Sequence, residues 1–253
     1  MTLPPALLPP AFLNRPIAHR ALHGPGRPEN SRAAVRAAVA GGYGIELDLQ
    51  LSADDVPMVF HDEELDRLTG IEGPLAARTA AELGALPLRG GDEGVPTLAE
   101  VLAGVGGRVP LLIEVKDQDG MMGPRVGALE AATAQVLKGY GGPVAVMSFN
   151  PHSVLAMRDL APDLPRGLTT AAFEPSDWAP LPPETCDRLR EIPDYEAAGA
   201  CFVSHEARDL GRPRVAALKG AGAVVLCWTI RSPEAERAAR AVAHNVTFEG
   251  YLA

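Results

Sequence analysis

Residues 42–70 read GYGIELDLQLSADDVPMVFHDEELDRLTG, and the interpretation of the whole chain starts from this stretch. Its first part, residues 44–50, has the apolar composition of a buried strand but carries Glu46 and Asp48. Side chains alternate between the two faces of a strand, so these two carboxylates share one face. Adjacent carboxylates repel each other and resist burial. A divalent cation would relieve both effects, and Mg²⁺ and Ca²⁺ prefer carboxylate oxygens.

A histidine ends the second half of the same stretch. Residues 52–55 are turn-like, and residues 57–60 form a short apolar segment that we expect to return along the first strand. His61 and Asp62 follow this segment directly. The return places an imidazole near the two carboxylates, so the stretch predicts a metal site with a histidine beside it.

Composition and charge limit the class of protein and its partners. The chain has 253 residues, of which 47% are hydrophobic, and this is enough for one large core. We therefore expect a single domain over residues 1–253, because an α/β barrel needs about 250 residues. The net charge of −9 argues against nucleic acid or an anionic membrane as the main partner. It is compatible with a small phosphorylated substrate, and the sequence gives no signal for an oligomer.

The cysteines and the N-terminal segment indicate a cytoplasmic location. The cysteines are far apart and show no metal-ligand spacing, which suits buried thiols in a reducing compartment. Residues 1–16 are apolar but lack a basic region and are interrupted by prolines, so they make a poor signal peptide. They are also too short to span a membrane, and no stable membrane insertion is expected. The residues concerned are Cys186, Cys201 and Cys227, and Pro4, Pro5, Pro9 and Pro10.

Short apolar runs alternate with alanine-rich amphipathic runs along the chain. This alternation is typical of βαβ units that form a parallel sheet. Eight strands separated by seven helical segments predict a (β/α)₈ TIM barrel, in the α/β class. The predicted strands cover residues 17–20, 44–50, 111–116, 144–148, 166–169, 201–204, 223–230 and 246–248.

Two other features of the predicted fold concern helices and an insertion. Asn30 is expected to cap the helix that follows the first strand. Residues 62–96 form a predicted insertion after the second strand, with one short helix at residues 79–83 that begins with a Thr79–Glu82 capping box. Few residues follow the last strand, so no eighth helix is expected. The N-terminal segment is expected to cover that gap or the barrel floor.

Polar residues gather where several of the predicted strands end. The active site of a (β/α)₈ barrel lies at the carboxyl ends of its strands. Here those ends carry two histidines, three carboxylates, an arginine and a lysine, and this convergence predicts a catalytic centre. A phosphodiester would suit it, because cations neutralise the phosphate oxygens while one histidine accepts a proton and the other donates one. The residues are His19, Arg20, Glu46, Asp48, His61, Glu114 and Lys116.

Seven short motifs occur in a fixed order: His19-Arg20, Pro28-Glu29-Asn30-Ser31, Ile45-Glu46-Leu47-Asp48, His61-Asp62, Glu114-Val115-Lys116, Ser148-Phe149-Asn150 and Trp228-Thr229-Ile230. This order resembles that of the glycerophosphodiester phosphodiesterase family. The resemblance is dense over residues 17–70 and returns in patches to the C-terminus. It implies a TIM barrel that uses one divalent cation, Mg²⁺ or Ca²⁺. The implied reaction is hydrolysis of a small glycerophosphodiester to glycerol 3-phosphate and an alcohol.

The resemblance also implies a role for each site residue. Three carboxylates would bind the metal, two histidines would act as general acid and base, and the remaining residues would contact the substrate. These are Glu46, Asp48 and Glu114 for the metal, His19 and His61 for proton transfer, and Arg20, Lys116, Phe149 and Trp228 for the substrate.

Three positions depart from the family pattern. Ala21 stands where the family has Gly, Arg231 where it has Asn, and residues 247–250 read Thr-Phe-Glu-Gly where the family has Thr-Asp. A Cβ atom at position 21 limits close approach of the backbone. We expect these differences to alter the leaving-group pocket and to leave the metal site intact.

Structural explanations compete with these roles. Glu114 with Lys116, and Arg20 with Glu29, would also form plain ion pairs, and the aromatic residues would also suit the core. Outside the motifs, four histidines are expected to be structural or exposed, and two aspartates after the third strand are expected to be solvated loop charges: His23, His152, His205 and His244, and Asp117 and Asp119.

Other functions also remain open. One alternative is a phospholipase-D-like or other phosphodiesterase of the same barrel superfamily, and another is a non-catalytic binding barrel. A sugar isomerase or aldolase barrel would need more histidine ligands or a Schiff-base lysine, and Lys116 beside Glu114 does not suit that role.

Overall fold

Eight parallel strands and one antiparallel strand form the sheet in the computed structural model, which describes residues 6–253. The strands are β1 (Ile17–Ala18), β2 (Gly44–Leu51), β3 (Pro57–Val59), β4 (Leu111–Val115), β5 (Val144–Ser148), β6 (Arg166–Thr170), β7 (Phe202–Glu206), β8 (Val224–Ile230) and β9 (Asn245–Phe248). The barrel is closed because β1 pairs in parallel with both β2 and β9. Only β3 runs antiparallel, along β2. The predicted (β/α)₈ barrel is confirmed.

One helical segment precedes the first strand, and the others lie between successive strands of the barrel. They are α1 (Ala11–Asn14), α2 (Arg32–Gly41), α3 (Asp66–Thr69), α4 (Ala80–Gly84), α5 (Leu98–Val105), α6 (Ala128–Leu137), α7 (Pro151–Leu160), α8 (Pro183–Arg190), α9 (Pro213–Gly220) and α10 (Pro233–Ala239). Residues 249–253, which follow β9, form no helix, as expected. Within residues 6–253, none of the helices is both long enough and apolar enough to cross a lipid bilayer.

The alternation of side chains along β2 separates the core from the barrel interior. Ile45, Leu47 and Leu49 are fully buried in the main hydrophobic cluster, between the strands and the helices. Glu46 and Asp48 point the other way, into the barrel. Polar side chains on a strand that is buried on both faces lose their contact with water and need hydrogen-bonding or charged partners. Residues inside the barrel supply such partners to Glu46 and Asp48.

The N-terminal segment closes the bottom of the barrel. Phe12 of α1 is completely buried in an apolar cluster with residues at the amino ends of several strands, such as Ile17 and Phe202. The Asn245 side chain fastens this segment by donating from Nδ2 to the carbonyl oxygens of Phe12 (2.6 Å) and Arg15 (2.7 Å). The segment therefore covers the barrel floor, one of the two positions expected for it. Its first residues, with Pro4 and Pro5, lie outside the described part of the chain.

The insertion contains more helix than the sequence predicted. The Thr79 capping box is present at α4, but α3 and a 3₁₀ turn at Leu75–Ala77 precede it. The insertion also has its own apolar cluster, which includes Phe60, Leu65 and Leu68. This cluster gives the additional turns a buried face, and helical stability comes mainly from such packing.

The cap predicted at Asn30 is wrong. Ser31 is the N-cap of α2, and its hydroxyl accepts a hydrogen bond from the Ala34 amide. Asn30 instead adopts a left-handed conformation, with φ of 58°, and donates from Nδ2 to Asp48 Oδ2 at 2.9 Å. An asparagine tolerates this conformation better than most residues, so it is free to contact the barrel interior.

The first strand is also shorter than predicted. It ends at Ala18, because Arg20 and Ala21 take left-handed conformations, with φ of 50° and 64°. The other predicted barrel strands agree with the structure to within two residues at each end.

The floor of the barrel can be tested with two neighbouring residues of α1. Replacing the buried Phe12 with Ala should lower the free energy of unfolding by about 3–5 kcal/mol, because a large core side chain is lost and a cavity is left. Leu13 is 37% exposed, so Leu13→Ala should change it much less. Urea unfolding followed by circular dichroism measures both changes. Equal effects of the two substitutions would contradict the packing of α1 against the barrel.

Candidate active site

The structure brings all nine predicted site residues to one pocket at the carboxyl ends of the barrel strands. The cavity has a volume of about 170 Å³. Its lining includes His19, Arg20, Glu46, Asp48, His61, Glu114, Lys116, Phe149 and Trp228. Thr169, Ser204 and Thr247, which the sequence analysis did not select, also line it.

Strand register places the three predicted metal ligands side by side. Glu46 and Asp48 lie on the same face of β2, and Asp48 is directly opposite Glu114 on β4. One oxygen from each carboxylate lies within 4.8 Å of the other two. The three residues are buried, with exposed fractions of 2%, 1% and 6%. This is a compact, all-oxygen donor set of the kind that holds Mg²⁺ or Ca²⁺.

The pKa values of Glu46 and Asp48 are shifted in opposite directions. Burial, with the nearby charges of Asp48 and Glu114, raises the pKa of Glu46 well above its usual value. Burial also opposes ionisation of Asp48, but the positive charge of Lys116 outweighs it, with help from His61 and Arg20, and the pKa of Asp48 lies well below its usual range. The neighbouring positive charges thus outweigh burial at Asp48 but not at Glu46, and a divalent cation in contact with Glu46 would favour its ionised form.

Lys116 lies within this cluster. Its Nζ is 2.6 Å from Glu114 Oε1 and 2.8 Å from Asp48 Oδ1. Burial disfavours the ammonium, but these two carboxylates more than compensate and raise the pKa of Lys116. Lys116 therefore contacts one carboxylate on β2 and one on β4. The simple Glu114–Lys116 ion pair is present, but Lys116 also pairs with Asp48.

Each of the two histidines is held by a carboxylate. His19 Nδ1 is 2.6 Å from Glu249 Oε2, and His61 Nδ1 is 2.7 Å from Asp62 Oδ1. Burial lowers the pKa of His19, and the hydrogen bond to Glu249 offsets this effect only in part. A carboxylate on Nδ1 fixes the orientation of an imidazole and leaves Nε2 for proton transfer.

The side chain of Arg20 contacts two carboxylates, and its backbone N–H donates to a third. Its Nη1 donates to Glu29 Oε1 at 2.9 Å, its Nε lies 3.6 Å from Asp48 Oδ2, and its backbone N–H donates to Glu46 Oε2 at 2.8 Å. The pairing with Glu29 thus occurs, and Arg20 still lines the pocket. The left-handed backbone at Arg20 is what aims its N–H at Glu46.

Two aromatic side chains form one wall of the pocket. The rings of Phe149 and Trp228 are 5.4 Å apart and nearly perpendicular, and the Trp228 indole donates to the Ser204 carbonyl at 2.9 Å. Behind them lie Phe173 and Trp178. The pair therefore belongs to an aromatic cluster and borders the pocket at the same time.

The departures at Arg231 and Glu249 are in contact with each other. Arg231 Nε donates to Glu249 Oε1 at 2.8 Å, and the other oxygen of Glu249 faces His19. Sequence reasoning missed the link between Glu249 and His19, since the two residues are 230 positions apart and meet only when the barrel closes. The one available signal was that Arg231 and Glu249, close to the ends of the last two strands, both depart from the family pattern.

The expectation for Asp117 as a solvated loop charge is wrong. Asp117 Oδ1 accepts a hydrogen bond from Asn150 Nδ2 at 2.8 Å, and its Oδ2 accepts one from the Met122 amide at the same distance. It anchors the loop that follows β4. His205, in contrast, is completely buried and bonded to Thr170 Oγ1, which agrees with a structural role.

The sequence is similar to known proteins over most of its length. Residues 19–247 match the model of the glycerophosphoryl diester phosphodiesterase family. The Bacillus subtilis protein YhdW is 29% identical over 226 residues, which make up 85% of this chain and 86% of that protein. The glycerophosphodiester phosphodiesterase of Caldanaerobacter subterraneus is 34% identical over 161 residues, 60% of this chain and 65% of that enzyme.

A solved structure shares the whole architecture. A phosphodiesterase from Oleispira antarctica, in complex with its product sn-glycerol 3-phosphate, superposes with a TM-score of 0.76. The two sequences are 26% identical, and the superposition covers 94% of each chain. Because the family model spans nearly the whole barrel and its predicted site residues, the chain belongs to the glycerophosphoryl diester phosphodiesterase family.

Proposed function

We propose that this protein hydrolyses glycerophosphodiesters to glycerol 3-phosphate and an alcohol, with the help of one divalent cation. One observation carries the proposal: three buried carboxylates and two carboxylate-bound histidines meet in a single pocket. Membership of the family and the product bound to the Oleispira antarctica enzyme support the substrate class.

The carboxylates Glu46, Asp48 and Glu114 would hold the cation. Their oxygens form a hard donor set, so we propose Mg²⁺ or Ca²⁺. When bound, the cation supplies Lewis acidity and neutralises charge on a phosphate oxygen. The Lys116 ammonium, in contact with Asp48 and Glu114, would neutralise part of their charge beside the cation.

The cationic side chains would bind the phosphate. Arg20 and Lys116 both line the pocket, and both are oriented by ion pairs with buried carboxylates. Donors fixed in this way stabilise the charge that develops on phosphate oxygens without having to reorganise during the reaction. Phe149 and Trp228 would exclude water from one side of the substrate.

The two histidines would transfer protons at opposite sides of the phosphorus. One removes a proton from the attacking hydroxyl, which belongs to water or to a neighbouring glycerol carbon. The other donates a proton to the oxygen of the departing alcohol. Glu249 and Asp62 would keep the two rings in the orientation that this exchange needs.

We also propose that the reaction takes place in the cytoplasm. Cys186, Cys201 and Cys227 are all buried and unpaired, which suits a reducing compartment.

Release of glycerol 3-phosphate from glycerophosphodiesters should require a divalent cation. Chelation should abolish turnover, and Mg²⁺ or Ca²⁺ should restore it, because the pocket otherwise lacks the charge that the phosphate needs. A coupled assay for glycerol 3-phosphate measures this directly. Full turnover in excess EDTA, with no metal found by elemental analysis, would contradict the proposed metal site.

Glu46→Gln should separate metal binding from folding. The pKa of Glu46 is higher in the folded chain than in the unfolded chain, so its ionisation costs stability as the pH rises from the unfolded value to the folded one. At neutral pH and without metal, Glu46→Gln should therefore raise the melting temperature. It should also abolish turnover and the stabilisation by added metal. The exposed Glu72→Gln should change neither quantity, and a large fall in melting temperature for Glu46→Gln would indicate a structural role.

Lys116→Ala should lower kcat/KM by about 10- to 1,000-fold, the range expected for one lost donor to the transition state. Steady-state kinetics with a glycerophosphodiester measures the change, and the exposed Lys138→Ala serves as the matched control. Unchanged kinetics combined with reduced stability would mean that Lys116 only bridges Asp48 and Glu114.

Leaving-group chemistry should distinguish the two histidines. Loss of the general acid should lower the rate about 100-fold or more on a glycerophosphodiester, whose alkoxide needs a proton to leave. The same variant should lose far less on a p-nitrophenyl phosphodiester, whose phenolate leaves unaided. Of His19→Ala and His61→Ala, one should show this pattern and the other should be impaired alike on both substrates. His152→Ala is the control, and equal losses for both variants on both substrates would rule out the division into acid and base.

A further inference from the structure

The insertion at residues 62–96 contributes an arginine that contacts two carboxylates beside the active site, Glu29 and Asp62. Its helix α3 is anchored by Leu68, which packs in the insertion's apolar cluster together with Leu65. Arg89 Nη1 donates to the Arg67 carbonyl, which ties the C-terminal part of the insertion to the same helix. Arg67 of α3 therefore has a defined backbone position beside the mouth of the barrel.

The Arg67 guanidinium binds two carboxylates at once. Toward Glu29 it donates from Nη1 to Oε2 at 3.0 Å and from Nη2 to Oε1 at 2.7 Å. Toward Asp62 it donates from Nε to Oδ2 at 2.6 Å and from Nη2 to Oδ1 at 3.0 Å. Both contacts are of the paired type that the flat, forked shape of guanidinium favours, and a lysine ammonium cannot reproduce them.

Each of these carboxylates also holds a residue of the proposed reaction. Glu29 Oε1 accepts the hydrogen bond from Arg20 Nη1 at 2.9 Å. Asp62 Oδ1 contacts His61 Nδ1 at 2.7 Å. An unbroken series of contacts thus runs from Arg20 through Glu29, Arg67 and Asp62 to His61.

Charge makes Arg67 the central member of this series. Glu29 and Asp62 both accept from its Nη2, so without the guanidinium two carboxylates would lie close together and repel each other. Each would then depend on its single remaining partner, Arg20 or His61. Exposed ion pairs usually contribute little, and Arg67 has a side chain that is 45% exposed. Bidentate contacts within a network are the recognised exception, and their effect is chiefly on orientation.

We propose that Arg67 is a positioning residue that fixes the phosphate-binding Arg20 and the proton-transferring His61 relative to each other. The insertion then contributes to the reaction by placing the Arg67 guanidinium between Glu29 and Asp62. The proposal rests on the proposed function for the roles of Arg20 and His61. A purely structural role, in which Arg67 only fastens the insertion to the barrel, is the competing explanation.

Kinetics of three variants distinguish these explanations. Arg67→Ala should lower kcat/KM about 10- to 100-fold, as for other residues that orient groups in contact with the substrate. Arg67→Lys keeps the charge but loses the forked contacts, so it should recover only part of the loss. Arg78→Ala removes another arginine of the insertion, one that has no described contact with Glu29 or Asp62, and should leave kcat/KM within about twofold, as expected for a surface substitution.

A double substitution tests whether Arg67 acts through His61. In an Asp62→Ala background, Arg67→Ala should cause a smaller further loss, because the carboxylate that links Arg67 to His61 is absent and only the link through Glu29 to Arg20 remains. For each single variant, the loss of kcat/KM on a glycerophosphodiester can be divided by the loss on a p-nitrophenyl phosphodiester. This ratio should be the same for both variants, whichever proton transfer His61 performs. A structural role predicts no such shared ratio.

The outcomes separate cleanly. Additive losses in the double variant, or a lower melting temperature with unchanged kinetics, would overturn the proposal. An inactive wild-type chain would contradict the proposed function instead. In that case a crystal structure of Arg67→Ala decides the matter, because unchanged positions of Arg20 and His61 would overturn the proposal and displaced side chains would support it.

Discussion

Repulsion among three buried carboxylates is the constraint on which the rest of the structure depends. Glu46, Asp48 and Glu114 are brought together by the alternation of β2 and its register with β4, and neither feature can change without unpairing the barrel. Neighbouring cations and hydrogen-bond donors offset this repulsion. Lys116 contacts two of them, and donors from Arg20 and Asn30 reach the cluster from the first loop. A divalent cation would complete this balance of charge.

Around this cluster the two histidines have matching supports. His19 contacts Glu249, which is held by Arg231, and His61 contacts Asp62, which is held by Arg67. In both cases a carboxylate orients the imidazole and an arginine orients the carboxylate. The two arginines lie outside the barrel strands, Arg231 directly after β8 and Arg67 in the insertion. The residue after β8 and the insertion thus each support one of the two histidines.

Local sequence patterns predicted the barrel and the core of the site, but long-range contacts were beyond them. The period of two along β2 was sufficient to put Glu46 and Asp48 on one face, and the rule that barrel sites lie at strand ends located the remaining candidates. Asn30 was misassigned because asparagine is common both as a helix N-cap and in the left-handed conformation. Its actual conformation goes with a hydrogen bond to Asp48 of β2, which the local sequence does not reveal. Glu249 was missed for a similar reason, since its partner lies at the other end of the chain.

Anomalous diffraction would show whether the carboxylate cluster holds one divalent cation. Crystals soaked in Mn²⁺ should show a single strong anomalous peak in contact with oxygens of Glu46, Asp48 and Glu114, because Mn²⁺ binds at oxygen-rich sites of this kind. The Lys116 ammonium, 2.8 Å from Asp48 Oδ1 and 2.6 Å from Glu114 Oε1, should remain beside the peak. The absence of a peak at the cluster at millimolar Mn²⁺ would mean that these carboxylates hold no divalent cation.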